Sequence, residues 1–410
     1  MNDILFLAHR VPFPPNRGDK IRSFNLLMKL ASLGRVHVGC LSENEEDRAA
    51  AAHIEDVSAT HCVVDRTKPL VLAGAQAVLS GKPVSVAAFH SPKLAQWVRN
   101  TIENEPIATI VVFSGQMGQY IPEDFTGRVI TDLCDVDSAK FEGYAKSGER
   151  VWLNAREARL LAAEEERLAR RSDATLLISE AEASVLRSRM KAPRRSRLIA
   201  MGNGIDAEMF DPAGVAPPPE LHSATGPHFV FTGQMNYRPN EAAALWVLEH
   251  FLPLARERFP KTRFHVVGRE PTPAVKRHSD TPGARIWGEV PDVRPFLAGA
   301  TCALAPLLIA RGVQNKVLEA MAMARPVLLT PAAATGIDAT DGEHWMVAPD
   351  DPQAMLDRFT QLVAQRGEAE RMGQRAREFV LARHGWNARL APLEALITGE
   401  ALTAEARNAA

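Results

Sequence analysis

The chain lacks the glycine patterns of the common nucleotide folds. It has neither Gly-x-Gly-x-x-Gly nor Gly-x-x-x-x-Gly-Lys-Ser/Thr, so dehydrogenase and P-loop readings lose their main support. Its four cysteines, Cys40, Cys62, Cys134 and Cys302, are scattered without a CxxC pair. They read as small buried hydrophobes in a reducing compartment, not as a disulfide or zinc set. His9, His90 and His265 stand alone without ligand spacing, so no metal is expected. An excess of one charge is missing too: 48 Lys and Arg against 49 Asp and Glu argue against a dedicated nucleic-acid binder. The longest uncharged runs are broken by Pro, Gly or Gln, and none reads as a membrane span. Met1 is followed almost at once by the strand Ile4–Leu7, with no basic-then-apolar signal peptide. The expectation is a soluble cytoplasmic protein, or one at the inner face of a membrane.

What is present is strand–helix alternation. At 410 residues, 46% hydrophobic and 24% charged, the chain is globular and long enough for two domains. Each half opens with a short apolar strand, a polar loop and an amphipathic helix. In the first half Ile4–Ala8 leads through residues 9–19 to a helix carrying Ile21, Phe24, Leu27 and Leu30 that stops at Gly34. In the second, Phe229–Thr232 leads through Gly233–Asn240 to a helix carrying Ala243, Trp246, Val247 and Phe251. Such alternation predicts an α/β fold: two Rossmann-like, doubly wound parallel sheets facing a central cleft, with ligands at the strand carboxyl ends. The predicted divisions are a first domain over 1–212, a proline-stiffened linker over 213–226 and a second domain over 227–378. A helix over 379–398 follows, and 399–410 is a frayed tail.

The most informative stretch is Arg311–Val327, where a glycine-marked turn leads into a short apolar helix followed by the buried strand Pro326–Thr330. The first turn of that helix carries Asn315, Lys316 and then Glu319, with Gln314 just before it. A helix amino terminus exposes unpaired N–H groups and partial positive charge, so it can hold phosphate, and Lys316 adds a full charge. One turn on, Glu319 can accept hydrogen bonds from ribose hydroxyls. Pyrophosphate plus ribose means a nucleotide.

The ordered motifs over nearly the whole chain resemble glycosyltransferase family 4, with its two-domain GT-B architecture. More narrowly, they are similar to sugar transferases associated with bacterial exosortase and exopolysaccharide systems. The motifs are Pro14–Asp19, Asp135–Ser138, Ser172–Ala174 before a strand ending in Ser179, Gly202–Asp206 with Phe210, Gly233–Met235, Arg238–Asn240, Gly288–Val293, Arg311–Val327 and Asp341–His344 through Pro349. The resemblance implies retaining transfer of a sugar from a nucleotide-sugar donor, held by the second domain, to an acceptor hydroxyl of a glycan or polyprenyl-linked glycan against the first. It implies no bound metal and no other cofactor, the departing pyrophosphate being stabilised by amide dipoles and basic side chains. The chain departs from the commonest family pattern. The first of its two glutamates is Arg311 here, leaving Glu319. The usual arginine after the second-domain glycine is Gln234, the usual lysine is Pro239 beside Arg238, and the frequent first-domain histidine is missing from Thr131–Asp137.

The candidate substrate-binding residues are therefore Glu319, Lys316, Asn315, Gln314, Arg238, Gly233, Arg311 and Gly18. The plain alternatives are a surface i,i+3 pair for Lys316 and Glu319, a solvated loop arginine for Arg238, and a turn ending for Gly18. Asp132, Asp135 and Asp137 are the candidate acceptor-side catalytic carboxylates, against a turn or helix cap. The basic run Arg187, Arg189, Lys191, Arg194, Arg195 and Arg197 reads as a solvated loop or as a docking patch for anionic lipid. Two other functions stay open: a nucleotide-sugar epimerase of the same fold, and a catalytically silent glycan- or nucleotide-binding partner of a transferase.

Overall fold

The structure is a computed structural model that describes residues 3–400, except 68, 147, 149, 193–195, 223–225, 309, 311 and 312. The chain forms two compact units, residues 1–203 with 389–410 and residues 204–388. The first holds a seven-stranded sheet in the order β3-β2-β1-β4-β5-β6-β7. Its strands are β1 (Asp3–Ala8), β2 (Val36–Ser42), β3 (Thr60–Asp65), β4 (Ile107–Phe113), β5 (Arg128–Cys134), β6 (Ala174–Leu177) and β7 (Leu198–Ala200). The second holds six strands in the order β10-β9-β8-β11-β12-β13. These are β8 (His228–Thr232), β9 (Arg263–Val267), β10 (Ala284–Gly288), β11 (Cys302–Ala305), β12 (Val327–Leu329) and β13 (Met346–Val347). Every pairing in both sheets is parallel. All residues of β1, β2 and β8 are buried, as helices covering both faces of a parallel sheet require.

Burial in the first unit extends to charge. The helix Gly18–Leu33 stops at Gly34 as its pattern predicts, and it places Arg22 inside. Arg22 Nε donates to Asp132 Oδ2 on β5 at 2.8 Å, and Nη1 donates to Asn203 Oδ1 at 2.9 Å. Asp132 is wholly buried, and its Oδ1 accepts from the Cys134 amide at 3.0 Å. The pair thus ties helix, sheet and the Gly202–Asp206 motif within a low-dielectric interior, where each charge depends on the other.

The domain divisions differ from those expected. The change of unit falls at 203/204, and residues 213–222 belong to the second unit, where Pro219–His222 forms a short helix. Prolines stiffen this segment, but Leu221 buries itself and makes it part of a core. The carboxyl-terminal helix expected over 379–398 is three helices, Arg366–Arg383, Trp386–Leu390 and Pro392–Thr398. Gly385 and Pro392 stand at the breaks, where one weakens the helix and the other removes a donor. Of the expected tail, residues 401–410 lie outside the described residues.

Replacing Arg22 by Ala strands the Asp132 carboxylate in the interior. The expected cost is about 3–5 kcal/mol, read as a lower urea midpoint for the first unit by tryptophan fluorescence. A midpoint unchanged from wild type would show that the pair carries no stability.

Candidate functional site

In the second unit β8 lies between β9 and β11, so the chain leaves the sheet toward opposite sides at this point. The loops after β8, β9 and β11 separate around a crevice at the carboxyl ends, the position where open parallel sheets take ligands. A cavity of about 540 Å³ fills it, lined by Gly233, Asn240, Gly268, Arg269, Gln314, Asn315, Lys316 and Glu319 among others.

Two glycines set the shape of this crevice. Gly233 has φ 149° and Gly268 φ 150°. A Cβ at Gly268 would lie 1.7 Å from the Gly233 carbonyl oxygen, so the two loops meet backbone to backbone. A Cβ at Gly233 would lie 2.8 Å from Asn240 Nδ2 and 3.1 Å from Lys316 Nζ. Only glycine meets both the positive φ and the close approach.

The helix Asn315–Ala322 points its amino terminus at the cavity, with Gln314 as N-cap. Its first intrahelical bond is from the Val317 amide to the Gln314 carbonyl at 2.9 Å, so the amides of Asn315 and Lys316 precede the ladder. Lys316 Nζ sits 4.7 Å from the centre of the Phe231 ring and donates to Asn240 Oδ1. Asn240 Nδ2 in turn donates to the Gln234 carbonyl at 2.9 Å, which locks the amide's orientation. Burial lowers the Lys316 pKa to about 8, opposed by the Glu319 charge. Burial raises the pKa of Glu319, opposed by Lys316. Among the described residues the Glu319 carboxylate has no hydrogen-bond partner, an incomplete state for a half-buried acid that faces a cavity.

The structure therefore brings Gly233, Gln314, Asn315, Lys316 and Glu319 to one place. Arg238 is not with them: it opens the helix Arg238–Trp246, is exposed, and does not line the cavity. The cation on the wall is Arg269, whose Nη2 donates to Gln234 Oε1 at 2.9 Å. Reading the sequence for phosphate contacts missed Arg269 and the orienting role of Asn240. The signal was available, since Arg269 directly follows the glycine that ends β9. Arg311 lies outside the described residues.

The acceptor-side candidates do not form one group. Asp132 is committed to Arg22 and offers no open face, so burial makes it a structural ion-pair partner. Asp135 and Asp137 lie past the end of β5, with Lys140 Nζ 3.9 and 3.1 Å from them. Their turn is held by two contacts: Val136 N donates to Glu182 at 2.8 Å, and Ser138 N, in the interior, to Glu165 at 2.9 Å. Ser179 and Glu182 have capping-box spacing and Ser179 caps the Glu182 amide, but the Glu182 side chain reaches Val136 instead of closing the box. Gly18 begins its helix in the open, with nothing within 4 Å of an added Cβ.

Sequence reading also passed over a charged network at the carboxyl ends of β1, β2 and β3. Arg10, Arg17 and Arg66 converge on Glu43 at 2.7–3.1 Å, and Arg10 also reaches Asp19. His9 is buried beside Phe89 and Phe113, and burial lowers its pKa. His265 is packed against His228 and Trp287, which fits a structural histidine; burial and His228 push its pKa down to about 3. Asp3, His37 and Glu105 could together reach a metal ion, but Arg35 already stands 3.1 Å from Asp3 and 3.8 Å from Glu105. In the basic run, Arg187 pairs with Glu180 and Arg189 with Glu142, and Arg194 and Arg195 lie outside the described residues. No helix among the described residues is long and apolar enough to cross a membrane.

Residues 226–365 match the family model of glycosyl transferases group 1. The matched span contains every residue of the cavity wall named above, and it supports a glycosyltransferase. No curated protein matches the chain. Solved structures share its architecture throughout. Anabaena HepE in complex with UDP-glucose aligns at 14% identity and TM-score 0.61, covering 97% of this chain and all of that one. A sucrose-phosphate synthase from Thermosynechococcus elongatus aligns at 15% identity and TM-score 0.59, covering 97% and 99%. WaaG, a glycosyltransferase involved in lipopolysaccharide biosynthesis, aligns at 16% and 0.57, covering 97% and 100%. At these identities the likeness is one of fold, and the fold is GT-B.

The lowered Lys316 pKa gives the second unit a pH signature. Lys316 is charged below about 8 and neutral above. An anion drawn into the cavity by this ammonium is therefore expected to bind more weakly as pH rises through that value, with a nucleoside diphosphate as the probe. Loss of one charge-assisted hydrogen bond is worth about 1.5–3 kcal/mol, roughly 10- to 100-fold in dissociation constant. Calorimetric titration from about pH 7 to about pH 9.5 reads the slope, and Lys316→Met is expected to bind more weakly with a flat profile. A wild-type profile equally flat removes Lys316 from the phosphate contacts.

Proposed function

We propose that the protein is a retaining glycosyltransferase that moves a sugar from a nucleotide-sugar donor to a hydroxyl of a glycan or lipid-linked acceptor. The observation that carries this reading is the pairing of Lys316 and Glu319, one turn apart at a helix amino terminus that opens on the second-unit cavity. The donor diphosphate sits on the Asn315 and Lys316 amides and the Lys316 ammonium, with Arg269 at the rim. The Glu319 carboxylate, which has no hydrogen-bond partner among the described residues, accepts from the ribose hydroxyls. Gly233 and Gly268 leave backbone, not side chains, where the diphosphate passes.

In this chemistry the bond from the sugar's anomeric carbon to the diphosphate oxygen breaks as the acceptor oxygen bonds that carbon. Charge builds on the departing diphosphate. Preorganised amides and Lys316 meet that charge without reorganising, which is the source of rate in a site from which water is excluded. No metal or other cofactor is assigned a role in this scheme. UDP-glucose in the HepE structure makes a uridine nucleotide the first donor to try. The ordered motifs from Pro14–Asp19 to Pro349 support an acceptor in exopolysaccharide assembly of the exosortase-associated kind. On the acceptor side the exposed Asp135 and the half-buried Asp137 remain the candidates for taking the hydroxyl proton.

Thermal-shift measurement against UDP, GDP, dTDP and ADP tests the donor site. The matching diphosphate at about 100 times its dissociation constant adds about 2.7 kcal/mol to stability, and Glu319→Ala is expected to weaken it about tenfold with the apo melting temperature unchanged. Incubation with nucleotide sugars then separates activities: a transferase releases free nucleotide with acceptor, an epimerase interconverts the donor, and a silent partner does neither. No shift with any of the four nucleotides sinks the reading. Wild-type turnover in Asp135→Asn and Asp137→Asn removes the aspartates alone.

A further inference from the structure

The helix Leu70–Ser80 is apolar in the wrong direction for a soluble surface. It has no charged residue, buries the small Ala73 and Ala77, and turns Leu72, Val78 and Leu79 outward. Leu79 is 90% exposed, Val78 63% and Leu72 59%. A surface helix in water normally does the reverse. A second apolar segment stands beside it. The helix Val151–Arg171 starts with Val151, Trp152 and Leu153, and Trp152 is 73% exposed.

The two segments are fastened together. Arg156 Nη2 donates to the Ala77 carbonyl at 2.9 Å, which sets the start of the second helix against the carboxyl end of the first. Glu157 accepts from the Val84 and Ser85 amides at 2.9 and 2.8 Å, so the loop after Gly81 is held as well. The outward side chains thus belong to one surface of the first unit, of a kind that proteins do not leave in water without use.

The surrounding charge says what covers it. Residues 66–102 hold five basic side chains and no acidic one, though Arg66 already pairs with Glu43 and Lys68 lies outside the described residues. Lys82 follows the first helix, and Lys146, Arg150 and Arg159 flank the start of the second. Two acids near the start of the second helix are engaged, Glu142 with Lys146 and Arg189 and Glu157 buried against Val84 and Ser85. Lys82 also borders a cavity that carries Glu103, Glu123 and Asp124. We propose that this surface docks the protein on an anionic lipid bilayer, with Leu72, Val78, Leu79 and Trp152 entering the headgroup–acyl boundary and Lys82 and Arg150 meeting the lipid phosphates. Apolar side chains rimmed by lysine and arginine, with an exposed tryptophan, fit that boundary. A second copy of this chain fits poorly, because a two-fold face would set the same cations against each other. The proposal moves membrane contact from the basic run at 187–197 to this surface, and it does not depend on which donor the second unit binds.

Flotation of the full-length protein on a density gradient tests it. Vesicles of phosphatidylcholine alone are compared with vesicles of equal parts phosphatidylcholine and phosphatidylglycerol. The wild type is expected to float with the anionic vesicles, less so as salt rises. The double variant Leu79→Glu, Trp152→Glu is expected to lose at least about tenfold in partition, with its melting temperature and nucleotide thermal shift unchanged because both side chains face solvent. Arg187→Glu with Lys191→Glu is expected to float as wild type does. Failure to float with either vesicle overturns the proposal, as does flotation that survives the double variant. A dimer seen by light scattering that the double variant dissolves, without flotation of the wild type, assigns the surface to a second copy and overturns it too.

Discussion

Lys316 Nζ lies over the face of Phe231, donates to Asn240 Oδ1, and has Glu319 one helical turn away. An ammonium held this way is costly to keep dry, and its lowered pKa reports that cost. The surroundings reduce the penalty without removing it. The ring supplies a negative face, the amide one acceptor, and the carboxylate a partly compensating charge that is itself raised in pKa. The charge that would complete the arrangement is an anion in the adjoining cavity. That is the usual condition of a preorganised site, in which the protein holds the cation at a cost that the ligand offsets.

Much of the second unit can be understood as what this arrangement requires. The positive φ at Gly233 and Gly268 brings two strand-end loops within backbone contact, so the cavity floor carries no side chain that would displace a diphosphate. Asn240 is held by the Gln234 carbonyl and cannot turn its oxygen away from Lys316. The helix Asn315–Ala322 is short but rigid, since Val317, Leu318, Ala320, Met321 and Ala322 are all buried. Its amino terminus is thereby fixed at the switch point of the sheet, where the sheet's own geometry opens a crevice. In the first unit the corresponding strand ends carry paired charges instead, around Glu43, Asp19 and Arg10, and the interior ion pair Arg22–Asp132 anchors the helix that leads away from them.

The local patterns of the sequence determined which segments are strands and which are helices, because apolar period and breaker residues act over a few neighbours. The helix from Gly18 ends before Gly34, and β1, β8 and β12 fall where short apolar runs predict buried strands. That Asn315, Lys316 and Glu319 stand together at one helix amino terminus was legible for the same reason: three residues on one turn of one helix need no tertiary information to be placed together.

Contacts between distant segments were decided by the tertiary structure alone. That Asp132 is consumed by Arg22 follows from a helix 110 residues earlier packing on β5, which no local pattern encodes. Arg238 and Arg269 are equally plausible loop arginines in one dimension, and only the path of the chain after β9 puts Arg269 on the cavity wall and leaves Arg238 in solvent. The division at 203/204 in place of the proline-rich stretch has the same origin, since Leu221 finds core to bury against and so attaches its segment to the second unit. Sequence specifies the pieces because torsional and periodic preferences are short-ranged. It leaves partners open because burial and charge pairing are settled only when whole elements pack.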